Sequence, residues 1–205
     1  MSIWQMINTG GVTMYILIAV SILSIAIIFE RVFYYSAMLR VKRLSLMERI
    51  TAEVKKNNIQ SAIGLCSKEK TCLTKVVSSG LELAGRPANI ISNGMERTIA
   101  IETVKLEKFT SILGTIGSTA VYIGLFGTVL GIIRAFNDIS KSGSGGLNIV
   151  ISGISEALVC TAAGLCVAVP AVIAYNFFVK KIDRLITEME LCASETLDLL
   201  NSQNR

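Results

Sequence analysis

The stretch GISEALVCTAAGLCVAVPAVIAYNFF, residues 153–178, holds a single carboxyl group, Glu156, and no basic side chain. It lies within an apolar run, residues 147–179, that is longer than the ~20 residues a helix needs to cross a bilayer. Between Lys141 and Lys180, Glu156 is the one ionisable acid or base apart from cysteine and tyrosine. The run therefore reads as a membrane helix that tilts or projects beyond the lipid at its outer end. A charged glutamate in hydrocarbon costs ~2.5–3.5 kcal/mol at the span centre, so Glu156 is expected to face a bundle interior or water.

Working outward, a second apolar run covers residues 111–133 and is joined to the third by the Gly/Ser-rich SKSGSGG, a composition that favours an exposed turn. The two runs are expected to form a transmembrane hairpin. Near the N-terminus, VTMYILIAVSILSIAIIF, residues 12–29, is eighteen residues without a charge. Residues 1–11 contain no Lys or Arg and no small-residue cleavage site follows the run, so it reads as an uncleaved anchor rather than a signal peptide.

Composition agrees with an all-α membrane protein. Of 205 residues, 52% are hydrophobic and only 17% charged, and the mean hydropathy is +0.59, too apolar for an ordinary soluble domain. Of the 20 Lys and Arg residues, fourteen fall between Arg31 and Lys108, two between Arg134 and Lys141, and four from Lys180 onward. The positive-inside rule then places the N-terminus outside and the C-terminus in the cytoplasm. The net charge of +5 is read as this topology signal and not as a nucleic-acid surface, because the basic residues are not interleaved with aromatics.

The expected organisation is an outer N-terminus (residues 1–11), a first span (12–29), a cytoplasmic helical domain (30–110), a second span (111–134), an outer loop (135–147), a third span (148–179) and a cytoplasmic C-terminal helix (180–205). Breaks within the helical domain are expected at Lys56-Asn57-Asn58, Ser67-Lys68-Glu69-Lys70 and Gly85-Arg86-Pro87. No Gly or Pro separates residues 30–56 from the first span or 93–109 from the second, so both segments are expected to continue those helices. Past the third span, Leu185, Met189, Cys192, Leu197 and Leu200 define an apolar stripe.

Candidate functional residues follow from depth. Counted from the cytoplasmic anchors Lys108 and Lys180, Thr128 and Thr161 fall at nearly one level, with Glu156 about five residues further out. Along the second span Gly114, Gly117, Ser118, Val121, Gly124, Leu125, Thr128 and Gly131 make a face of mainly small and hydroxyl residues; Gly124-xxx-Thr128 and Gly127-xxx-Gly131 suit close helix packing. On the third span Glu156, Cys160, Ala163, Gly164, Val167 and Ala171 share a face, with Thr161 turned ~140° from Glu156. Pro170 leaves the Cys166 carbonyl without its helical donor, which bends a helix or offers an acceptor. Glu156 either pairs with Arg134 at the outer mouth or serves an ion path, while Asp138 beside the outer loop is expected to be solvated. With no histidine and no nucleophile/base pair, phosphate loop, cofactor motif or metal-ligand cluster, neither an enzyme nor a metal site is expected. The five cysteines form no CxxC pair and read as small apolar side chains.

The hairpin resembles the ExbB/TolQ/MotA family of proton-channel proteins, with ExbB and TolQ nearer than the four-span MotA. IGLFGTVLGIIRAF, residues 123–136, and GISEALVCTAAGLCVAVPAVIAYNFF match the family's second- and third-span signatures, and TGGVTMYILIAVSILSIAIIFERV resembles the first span of ExbB and TolQ. Many relatives have proline where this chain has Val121, so no kink is expected there. The resemblance implies a homopentamer in the bacterial inner membrane, N-terminus periplasmic, whose central pore holds single helices from two copies of an ExbD- or TolR-like partner. It implies that an aspartate of that partner takes the proton while Thr128 and Thr161 line the route, with Glu156 at the acidic position of the motif, and that work passes to a TonB- or TolA-like protein. The rival reading is a membrane scaffold that stabilises a partner without conducting ions.

Overall fold

The computed structural model describes residues 11–39, 42–142 and 146–203. Residues 1–10 of the expected N-terminal segment and the centre of the outer loop lie outside the described residues. Among those described, every element is a helix: α1 (Gly11–Met38), α2 (Arg43–Lys55), α3 (Ile59–Lys68), α4 (Cys72–Glu82), α5 (Ala88–Glu107), α6 (Thr110–Ser142) and α7 (Gly146–Gln203). Three stretches, within Gly11–Lys55, Ala88–Ser140 and Ile151–Ser202, are long and apolar enough to cross a membrane, and in each only 28% of the apolar window is buried by the chain itself. Phe29, Tyr122, Phe126, Leu158 and Ile173 are among the side chains left outside. Apolar area on that scale must be covered by lipid or other chains.

The chain divides into two compact units, Met1–Glu30 with Phe109–Phe177, and Arg31–Lys108 with Phe178–Arg205. In the first, α6 and α7 lie backbone to backbone. A Cβ on Gly124 would come 2.9 Å from the Cys160 carbonyl oxygen and 3.2 Å from the Gly164 Cα, and one on Gly164 would come 2.7 Å from the Ala120 carbonyl oxygen. The same seam continues outward through Gly131 against Ala157 and Gly153 against Ala135, and inward through Gly117 against Val172. Only residues without side chains permit this approach, the usual membrane solution where no hydrophobic effect drives helices together. Leu17 of α1 closes over Ala120 and Ala168, flanked by Val121, Ile123, Ala163 and Val167. The second-span helix runs on past residue 134 to Ser142, since no breaker interrupts it before the Gly/Ser run. It is unbroken at Val121, and α7 continues through Pro170.

In the second unit the three expected breaks are present, each with its local chemistry. Asn57 turns the chain at φ 59°, and Asn58 caps α3 by accepting from the Ser61 amide. Thr71 and Thr74 form a reciprocal capping box at the start of α4. Gly85 takes φ 83° and Pro87 precedes α5.

Two expectations of helix continuity are corrected. The segment after the first span is helical only to Met38, and a separate helix begins at Arg43. The second span is not continuous with α5: Lys108 is extended (φ −50°, ψ 132°) and Phe109 takes φ 65°, a conformation that costs a non-glycine residue about 1–3 kcal/mol. Tertiary contacts accompany the stop. Near the end of α5 the Leu106 carbonyl accepts from the Tyr35 hydroxyl at 2.7 Å and from Arg31 at 3.4 Å, so the carbonyl left over when the helix stops is satisfied from α1. Arg31 also stacks over Tyr34 at 4.5 Å from the ring centroid.

The remainder of this unit packs on α7 through Phe178, Ile182, Leu185, Met189, Cys192, Thr196 and Leu200, all buried. Thr196, not Leu197, carries the stripe, because the 3.5-residue spacing from Phe178 onward falls on 196; its hydroxyl is satisfied by the Cys192 carbonyl. Gly80 of α4 marks where α4, α5 and α7 converge, since a Cβ there would lie 2.5 Å from the Met95 sulfur and 3.2 Å from Thr196. Glu102, 2% exposed, receives Lys105 at 2.6 Å and Lys75 at 2.7 Å. Burial pushes its carboxyl up, but the hydrogen bonds from the two ammonium groups outweigh that and hold it below the usual range. Arg43 joins α2 to α7 by bonding Glu188 at 3.1 Å and also Glu195.

Candidate functional site

The seam between α6 and α7 fixes the level of every polar group near it. The pairs Gly124/Gly164, Gly131/Ala157 and Ala135/Gly153 define one antiparallel register, in which residue 127 stands opposite Thr161 and Thr128 is one residue away, ~1.5 Å along the axis. The Thr161 hydroxyl donates across the seam to the Gly124 carbonyl at 3.4 Å. The Thr128 hydroxyl donates within its own helix to the Leu125 carbonyl at 2.6 Å. Both threonines are half-buried, at the border of the packed face.

Glu156 occupies the opposite border. It is half-buried and lines a cleft of about 430 Å³ bounded by α1, α6 and α7, together with Thr13, Arg134, Asp138, Ser152 and Cys160. Neither Thr128 nor Thr161 lines that cleft. One α-helix therefore presents its carboxyl and its hydroxyl to two different sides of the hairpin, as a five-residue separation requires. Of the sequence candidates, Gly127, Gly131 and Glu156 meet at the cleft, Gly124 and Gly164 make the closest part of the seam, and Pro170 lies further along α7 on an exposed face.

Arg134 and Glu156 share the cleft, but among the described residues no ion pair within 4.0 Å joins them. The guanidinium is instead seated against the start of α1, where a Cβ on Gly11 would come 2.9 Å from Nη1. Gly11 has φ 62°, so glycine is favoured there twice over, by backbone conformation and by the closeness of Arg134. Asp138, expected only to be solvated, is exposed and also forms part of the cleft wall. At the inner end Thr13 Oγ1 lies 3.7 Å from Cys160 Sγ, and a Cβ on Gly127 would meet both residues. Thr13 escaped the sequence reading; its signal was a hydroxyl near the outer start of the first apolar run, one of several in that run.

The family pattern described as the MotA/TolQ/ExbB proton channel family matches residues 68–191, which include the seam, both threonines and Glu156. A "Tol-Pal system protein TolQ" from Pseudomonas aeruginosa is 30% identical over 98% of this chain and 93% of its own length. A "Biopolymer transport protein ExbB" from Pseudomonas putida is 34% identical over 73% of this chain, which spans about half (49%) of that relative. A second protein of that name, from Neisseria gonorrhoeae, is 46% identical over 45% of this chain and 42% of its own length. With the family pattern matching well over half of its residues and one relative aligned along nearly all of it, the chain belongs to the MotA/TolQ/ExbB proton channel family.

Proposed function

We propose that the protein is the ring-forming subunit of a motor driven by the proton-motive force in the bacterial inner membrane. Five copies surround two single-span helices of an ExbD- or TolR-like partner, with the N-terminus periplasmic, α2–α5 and the end of α7 cytoplasmic, and Thr128 and Thr161 facing the partner helices. Protons pass by way of an aspartate on the partner, and the resulting movement is handed to a TonB- or TolA-like protein. Family membership supports this reading, as do three helices of membrane-crossing length whose outer surfaces the chain itself leaves largely uncovered.

The observation that carries the reading is the placing of Thr128 and Thr161 at one level on the side of the hairpin away from Glu156. The closest seam contacts are made by glycine and alanine, and the Thr128 hydroxyl bonds only to the Leu125 carbonyl of its own helix. One charge crossing ~100 mV yields ~2.3 kcal/mol, so each working stroke draws on several protons. A non-conducting scaffold would need the seam and not the Thr128 hydroxyl, whose bond lies within its own helix. The test is growth that depends on the energised outer-membrane system: Thr128→Val and Thr161→Val abolish it if the motor reading holds and leave it intact if the chain is a scaffold.

A further inference from the structure

The cleft around Glu156 has an order along the membrane axis that the seam register supplies. From the outer end inward come Asp138, then Ser152 and Arg134, then Glu156, and finally the Thr13–Cys160 contact that closes it. Beyond that contact Leu17, Ala120 and Ala168 form a buried apolar plug. The volume, about 430 Å³, far exceeds what one water needs, and hydroxyl, guanidinium and carboxylate groups in the walls give water the partners it requires. A polar-walled pocket that ends blindly beneath a half-buried carboxyl has the form of an entrance vestibule.

We propose that this cleft is the water-filled entrance through which protons reach Glu156 from the outer side, and that Arg134 denies the same entrance to alkali cations. The inference rests on the proposed motor function for its purpose, while its geometry stands on the cleft alone. A cation drawn to the mouth by Asp138 must pass Arg134 before it reaches Glu156, and the guanidinium cannot shed its charge. A sodium ion keeps its full charge on that passage and needs a shell of oxygen ligands that two carboxylates and two hydroxyls at different depths do not assemble. A proton is handed along a chain of waters, so no cation has to reside beside Arg134. Arg134 is exposed, lines the cleft and has its guanidinium close to Gly11.

The test is thiol labelling from the outer side in membrane vesicles, using the full chain with its native partners, other cysteines replaced, and impermeant methanethiosulfonates of either charge. Glu156→Cys is expected to react about tenfold or more faster than Ala168→Cys in the buried apolar plug, because only the former meets water. The anionic reagent is expected to be favoured over the cationic one, and Arg134→Gln to lower that preference by a factor on the order of ten while Arg134→Lys retains it. Labelling of Glu156→Cys no faster than Ala168→Cys, or a charge preference indifferent to Arg134, overturns the proposal. The thiol arm needs no motor activity, so failure of the motor reading in the threonine variants would leave it readable.

Discussion

The Tyr35 hydroxyl donates to the Leu106 carbonyl at 2.7 Å, and with that bond the end of α5 is tied to α1 at the point where the chain turns into the second apolar helix. The Tyr35 ring also packs at 5.4 Å from Phe178. Tyr35→Phe keeps the ring and removes the donor, leaving Leu106 with only the longer contact from Arg31. It is expected to cost about 1 kcal/mol, whereas Tyr35→Ala costs about 3–5 kcal/mol by emptying a buried aromatic site. Thermal unfolding of the detergent-solubilised protein distinguishes the two.

The seam makes an opposite prediction for two glycines. Gly164→Ala places a methyl 2.7 Å from the Ala120 carbonyl oxygen and 3.0 Å from the Gly124 Cα, so the hairpin must spread, at about 1–3 kcal/mol. Gly64→Ala, in α3 with nothing within 4 Å of the new Cβ, is expected to stabilise by about 0.5–1 kcal/mol through helix propensity. Melting temperatures of the two variants should move in opposite directions.

Glu102 gives a pH dependence with a defined sign. Its folded carboxyl is held below the unfolded value of about 4.5 despite burial, by Lys105 and Lys75. The stabilisation is therefore fully present above the unfolded value and is lost as pH falls through the lower folded one. Unfolding temperatures followed from pH 6 down to pH 3 should fall less steeply in Glu102→Gln than in the unmodified protein.

Burial pushes the Cys192 thiol up to about 12, and those of Cys66 and Cys72 to about 11. At pH 8 only about one Cys192 in ten thousand is then the reactive thiolate. Iodoacetamide should leave all three largely unmodified in the folded protein and alkylate them on unfolding, which mass spectrometry of timed samples measures.

What the sequence made legible were features written in short range. The apolar runs declare the spans by length, and the breaks at Asn57, Thr71 and Gly85 carry their own turn and cap residues. The level of Thr128 and Thr161 could be counted because a helix rises uniformly and the hairpin is antiparallel. The stop at Phe109 could not be read locally, since nothing in KLEKFT forbids a helix and the stop is accompanied by Tyr35 and Arg31, some seventy residues away. The stripe on α7 was misread at one position because its true spacing is visible only when followed from Phe178. The cleft was hidden for a similar reason: Thr13, Arg134 and Glu156 belong to three separate helices, and only the glycine seam brings the last two to one wall.

The most direct test of the motor reading is proton entry into proteoliposomes holding the complex purified with its native partner. Thr161→Val preserves the shape of the side chain and removes the hydroxyl that reaches Gly124. The account predicts that the variant assembles normally and conducts protons slower by about tenfold or more, the scale of losing one polar interaction in the path. Proton entry at the unmodified rate in that variant would contradict it.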